Sequence, residues 1–205
     1  MNYFSLAALG FIVGLSGAML PGPMSVYAIS IALKTKLTRI LFLVLGHIFI
    51  EAAMVALLLL GLRQILGSKI VFNTLTILGG GGIILMGLYI FLKAGQLKLS
   101  LDTKINLSSG LILSGIFLTA FNPTFPAWWL SIGAGLLSRA LLFGLVGVIV
   151  LILGHWLADL TWFSILGFVA ARGKAWLNEK SYQLILKTLG LILFTFGLWF
   201  IFQLN

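Results

Sequence analysis

Residues 17–24 read G-A-M-L-P-G-P-M, and residues 121–126 read F-N-P-T-F-P. These two stretches hold all 4 prolines of the chain, and each falls inside a long apolar run. Proline removes its own helical N–H and clashes with the carbonyl four residues earlier. Two apolar helices are therefore interrupted, one in each half of the sequence. How the rest of the chain is arranged around these breaks decides the fold.

The surrounding composition is that of a membrane protein. The chain is 61% hydrophobic and 8% charged, with a mean hydropathy of +1.19. A soluble domain carries about 25% charged residues, so this sequence cannot cover a water-facing surface. Apolar runs of about 18 residues or more mark transmembrane helices. Six are drawn: Ser5 to Leu33, Ile40 to Leu62, Thr74 to Leu92, Ser108 to Leu137, Ala140 to Ala171 and Tyr182 to Gln203. Runs one, four and five exceed the ~20 residues a bilayer needs, so they tilt, protrude or contain non-helical backbone. The start, M-N-Y-F-S-L, lacks a basic leader and reads as a retained first helix.

The charge of +9 belongs to topology, with no nucleic-acid partner expected. After spans one, three and five lie Lys34, Lys36, Arg39, Lys93, Lys98, Lys104, Arg172, Lys174 and Lys180, with Lys187 close by. The other side holds only Arg63, Lys69 and Arg139. By the positive-inside rule both termini lie outside the cytoplasm. Cysteine is absent, which removes disulfides, thiolate metal sites and dithiol redox chemistry.

The chain reads as if written twice. G-H-I-F-I-E at 46–51 returns as G-H-W-L-A-D at 154–159, using both histidines and two of the 4 acids. Gly87-Leu88-Tyr89 in the third span is echoed by Gly197-Leu198-Trp199 in the sixth. Residues 1–99 and 100–205 then form two three-helix repeats of one membrane domain. Three is an odd number, so the second copy enters the bilayer from the opposite side. The expected fold is all-α and polytopic, six helices as two inverted repeats, with helices one and four broken by prolines. In secondary transporters such repeats bind substrate near the midplane, where broken helices meet.

Four backbone carbonyls are expected to be released at the breaks, those of Gly17, Met19, Thr119 and Asn122. The alternative is a pair of kinked helices whose carbonyls bond to neighbours. Pro21, Gly22, Pro23, Ser25, Asn122, Pro123 and Thr124 are the expected substrate-binding residues. His47 and Glu51, like His155 and Asp159, stand at i and i+4 and share a helix face. An ionised carboxylate at the bilayer centre costs at least ~2.5 to 3.5 kcal/mol, so intramembrane acids are functional candidates. These four residues are assigned to proton coupling. A polar clamp that never titrates is the plainer reading, and a divalent-metal site needs both pairs to converge. No metal or cofactor is assigned.

Weaker signals remain. Gly79 to Gly82 reads as a close-packing stretch. Trp128, Trp129, Trp156 and Trp162 either line a cavity or pack the bundle. Ser16 in G-L-S-G matches a nucleophile pattern, which with His155 as base would make an intramembrane serine protease. That reading leaves the duplication unexplained.

G-A-M-L-P-G-P-M, F-N-P-T and G-H-W-L-A-D-L-T-W together resemble the lysine exporter (LysE/RhtB) family of translocators, across the whole chain. The resemblance implies efflux of amino acids or related small solutes across the cytoplasmic membrane, usually driven by the proton gradient. Pro21, Gly22, Pro23, Asn122 and Pro123 match its motif positions. Where that family often carries a basic residue after N-P, this chain has Thr124. The expected partners are a small solute, protons and the bilayer; a homodimer is left open. The chain is thus expected to be a transporter and not an enzyme, with a divalent-cation transporter as the alternative.

Overall fold

The computed structural model describes residues 2–20, 22–61, 69–96, 108–173 and 178–202. Among the described residues every regular element is helical. Helix α1 (Tyr3–Ala18) is capped by Asn2, whose Oδ1 accepts from Ser5 N at 2.8 Å. After the break come α2 (Pro23–Lys34) and α3 (Thr38–Leu59), then α4 (Lys69–Lys93). In the second half α5 (Ser108–Ala120) is followed by α6 (Thr124–Trp128), a π-turn at Trp129–Gly133, and α7 (Ala134–Leu141). Helices α8 (Gly144–Gly173) and α9 (Glu179–Phe202) complete the chain. Four helices are long and apolar enough to cross a membrane, and six spans result if each bent pair is counted as one.

The bends fall where the prolines are: 84° between α1 and α2, and 62° between α5 and the helical run that starts at Thr124. Three of the four carbonyls expected to be free are taken within the turns. The Gly17 carbonyl accepts from Leu20 N at 3.2 Å, Thr119 from Asn122 N at 3.1 Å, and Asn122 from Phe125 N at 3.0 Å. Pro23 opens α2, and Pro126 stands in the first turn of α6. At those positions a helical N–H has no intrahelical partner to lose. The prolines start new helices; tightened turns consume the carbonyls that precede them.

The boundary between the fourth and fifth spans differs from the sequence reading, which ended one at Leu137 and began the next at Ala140. Ala140 belongs to α7, which runs on to Leu141, and the chain turns at Leu142 and Phe143. Gly144 makes that turn with φ +67, a left-handed conformation that glycine adopts without steric cost.

Helices pair through small residues, which lets backbones approach where hydrophobic burial gives no net drive. A Cβ on Gly10 of α1 would overlap the Leu151 carbonyl of α8, and one on Gly154 would overlap the Ala7 carbonyl. The same contact recurs between α5 and α3, where a Cβ on Gly115 would strike the Leu43 carbonyl and one on Gly46 the Ile112 carbonyl. Helices α4 and α9 cross through Gly87 against Gly190 and through Gly80 against Gly197. Gly80 therefore packs as the glycine run suggested, whereas Cβ atoms on Gly81 and Gly82 would meet nothing within 4 Å.

The exterior carries large apolar side chains such as Phe4, Phe49 and Ile149, while Glu51, His155 and Asp159 are buried. Leu33, Ala94, Tyr182 and Leu186 form one buried cluster, with Ala170 packed against it. Gln183 Nε2 donates to the Gly95 carbonyl at 3.2 Å, and Lys34 Nζ lies 6.0 Å from the Tyr182 ring. The ends of α2, α4 and α8 and the start of α9 thus meet, gathering Lys34, Lys93, Arg172 and Lys180 at one end of the bundle. Arg63, Lys98, Lys104 and Lys174 lie outside the described residues.

Candidate functional site

A cavity of about 70 Å³ lies between the two helix breaks. Its wall includes Gly17, Gly22, Met24 and Ser25 from the first break, and Thr119, Asn122 and Thr124 from the second. The breaks touch, since a Cβ on Gly22 would lie 3.3 Å from Asn122 Nδ2. Asn122 Oδ1 accepts from both the backbone N and the Oγ1 of Thr124, at 3.2 and 2.8 Å, which anchors the start of α6. Pro23 and Pro123 are buried but do not line the cavity, so they shape the backbone and make no contact with its contents. Pro21 lies outside the described residues.

All four residues of the histidine–acid pairs line the same cavity. Each i,i+4 pair faces itself, with His47 Nε2 3.4 Å from Glu51 Oε1 and His155 Nε2 3.7 Å from Asp159 Oδ2. The shortest link crosses between helices instead: His155 Nε2 to Glu51 Oε1 at 2.9 Å. His47 Nε2 also stands 3.8 Å from Asp159 Oδ1. The two pairs therefore form one cluster joining α3 to α8. Ligand atoms of His47, Glu51 and Asp159 lie within 4.8 Å of one another, a spacing at which one cation could touch all three. His155 is not in that set, so three of the four ligands that the metal reading counted on converge.

Two partners were not legible in the sequence. Thr119 Oγ1 sits 2.8 Å from His47 Nδ1, which ties the end of α5 to α3 and orients the imidazole. Trp129 Nε1 donates to Glu51 Oε1 at 3.2 Å. Trp129 begins the π-turn, a helical irregularity frequent at functional sites. A Cβ on Gly133 would press on the Trp129 ring, so glycine there makes room for the indole. Trp128 and Trp129 flank His155 at ring-centroid distances of 5.0 and 5.1 Å. Phe125 and Phe163 stand against His47 at 6.2 and 6.3 Å. Of the four tryptophans singled out in the sequence, Trp128 and Trp129 line this cavity, and Trp162 lines a neighbouring apolar groove.

Ser16 does not belong to the site. It is exposed, and its Oγ donates to the Val13 carbonyl at 2.6 Å. Its neighbours Gly14 and Gly17 are the residues that face inward, toward His155 Nδ1 and the Trp128 ring. Ser16 does not line the cavity that holds His155, so the serine has no base. Ser16→Ala is expected to leave solute efflux within about twofold of the unaltered protein, checked by flux from loaded proteoliposomes; lost transport would reopen a role for this hydroxyl.

A family model described as LysE type translocator matches residues 15–204. No curated protein and no solved structure matches the chain.

Proposed function

We propose that this chain, which belongs to the LysE type translocator family, exports amino acids or related small solutes across the cytoplasmic membrane in exchange for protons. The carrying observation is the single cavity that both helix breaks and both histidine–acid pairs line. Solute and proton that bind within reach of one another are coupled directly, and here the same walls serve both. Gly22, Ser25, Asn122 and Thr124 stand at the mouth of the breaks and contact the solute; Pro21, Pro23 and Pro123 set the backbone that brings them there. Glu51 and Asp159, oriented by His155 and His47, carry the proton. Proteoliposomes loaded with amino acids and a pH-sensitive dye test the reading directly. Efflux of an amino acid with internal acidification supports it, whereas efflux indifferent to an imposed proton gradient removes the coupling.

Residues 1–99 and 100–205 are, in this proposal, two inverted repeats of three spans each. The support is that equivalent residues make equivalent contacts: Gly10 on Leu151 and His155, and Gly115 on Leu43 and His47. Leu43 and His47 are each 108 residues before their counterparts Leu151 and His155. Gly80 with Gly197, and Gly190 with Gly87, are likewise exchanged by one offset of 110 residues. The basic helix ends gathered on one side face the cytoplasm, and both termini lie outside. Cysteine placed at the exposed Asn2 is expected to react with an impermeant thiol reagent in intact cells, against a naturally cysteine-free background. Labelling only after permeabilisation reverses the orientation.

A second reading, transport of a divalent cation, draws on the spacing of His47, Glu51 and Asp159. Manganese(II) in place of amino acids in the same vesicles separates the two.

A further inference from the structure

We infer that the cavity selects its solute by an organic ammonium group, seated on Glu51 and Asp159 between aromatic walls, so that amines without a carboxylate are also ligands. This rests on the exporter reading of the cavity and names the chemical class it takes.

Glu51 Oε2 and Asp159 Oδ2 are buried without a hydrogen-bond partner. Their residues are 2% and 1% exposed, and both line the cavity. Buried polar atoms are nearly always paired; Glu51 and Asp159 face each other closely enough to hydrogen-bond, so two buried acids share one cavity wall and a cation with several N–H donors answers both. An ammonium supplies three N–H donors and a positive charge. The backbone carbonyls of Gly17, Thr119 and Asn122 already accept within their turns. The carboxylates are therefore the better seat for a cation.

The walls carry the second part. Phe125, Trp128, Trp129 and Phe163 all line the cavity, and aromatic faces attract organic cations through the ring quadrupole. A hard metal ion gains nothing from such faces, because it needs oxygen or nitrogen ligands around it. No lysine or arginine is among the described residues that line the cavity. A solute carboxylate finds no lysine or arginine there, and the imidazoles of His47 and His155 already face Glu51 and Asp159, so the amine end dominates recognition.

Calorimetric titration of the purified protein tests this with alanine, leucine and lysine. Each is compared with its decarboxylated amine (ethylamine, 3-methylbutylamine, 1,5-diaminopentane) and with its N-acetyl derivative blocked at the α-amine; manganese(II) chloride is titrated separately. At least one amine is expected to bind within about tenfold of its parent amino acid. The acetylated forms of alanine and leucine are expected to bind on the order of 100-fold more weakly, having lost the only cation they present. Trp128→Leu is expected to weaken amine binding about tenfold and Trp128→Phe much less, since phenylalanine keeps an aromatic face. Equal binding of acetylated and free leucine overturns the inference, as does amino-acid binding with no amine binding, or binding of manganese alone. Transport measured on the same preparation separates the two levels. Amino-acid efflux without amine binding ends the ammonium assignment and leaves the exporter reading standing; amine binding without any efflux does the opposite.

Discussion

Asp159→Asn is expected to lower solute-driven proton movement by about 100-fold or more while the protein still folds and inserts. Asparagine keeps the size and hydrogen-bonding reach of the side chain but cannot release or take up a proton near neutral pH. Asp159 is 1% exposed, stands 3.7 Å from His155 Nε2 and 3.8 Å from His47 Nε2, and lines the cavity between the helix breaks. An acid retained there, at a cost of ~2.5 to 3.5 kcal/mol for its ionised form, has reason to be retained for its proton. The measurement is internal pH in proteoliposomes during efflux, with circular dichroism confirming helicity. Glu51→Gln is expected to be at least as damaging, because Glu51 Oε1 also receives His155 and Trp129 and so joins α3 to α8 and the π-turn. If Asp159→Asn acidifies vesicles as fast as the unaltered protein, the proton does not travel by this residue.

The second large effect is on stability. Gly46→Val and Gly154→Val are each expected to destabilise the protein by at least about 3 kcal/mol, read as a fall in detergent melting temperature and in the yield of inserted protein. In both, the added Cβ would collide with backbone, the Ile112 carbonyl for Gly46 and the Ala7 carbonyl for Gly154. Backbone inside a helix cannot swing aside as a side-chain end can, so the two helices must separate. Each glycine also precedes a site histidine by one residue, so separation displaces His47 or His155 from the cavity. Gly135→Val is the control, since its Cβ would meet nothing within 4 Å. Equal melting temperatures for Gly154→Val and Gly135→Val would show that this helix contact is not close.

Much of this was readable from the sequence because membrane helices announce themselves by length and apolarity, and because the prolines and the His-acid spacing are local signals. His47 with Glu51, and His155 with Asp159, follow from helical period alone. The stronger His155–Glu51 link does not, since it joins residues whose adjacency depends on how α3 and α8 pack. Trp129 was ambiguous for a related reason: an indole five residues into a helical run points wherever the turn geometry sends it, and the π-turn is not encoded by any residue period. The carbonyls of Gly17, Thr119 and Asn122 were misjudged because a sequence does not show whether a proline falls within a helix or opens a new one. The end of α7 was misplaced because Gly144, with no proline or charge beside it, gave no sign of a left-handed turn.

The reciprocal glycine contacts between α4 and α9 carry a further consequence. Gly80 meets Gly197 while Gly87 meets Gly190, which is the pattern of an isologous interface, where a patch on one subunit meets the same patch on its twin. Here a single polypeptide supplies both sides. On the two-repeat proposal, an association that two separate three-helix chains would make only at sufficient concentration is intramolecular, governed by an effective concentration fixed by the chain itself. The cavity is likewise walled from both halves of the one chain, by α1, α2 and α3 on one side and α5, α6 and α8 on the other.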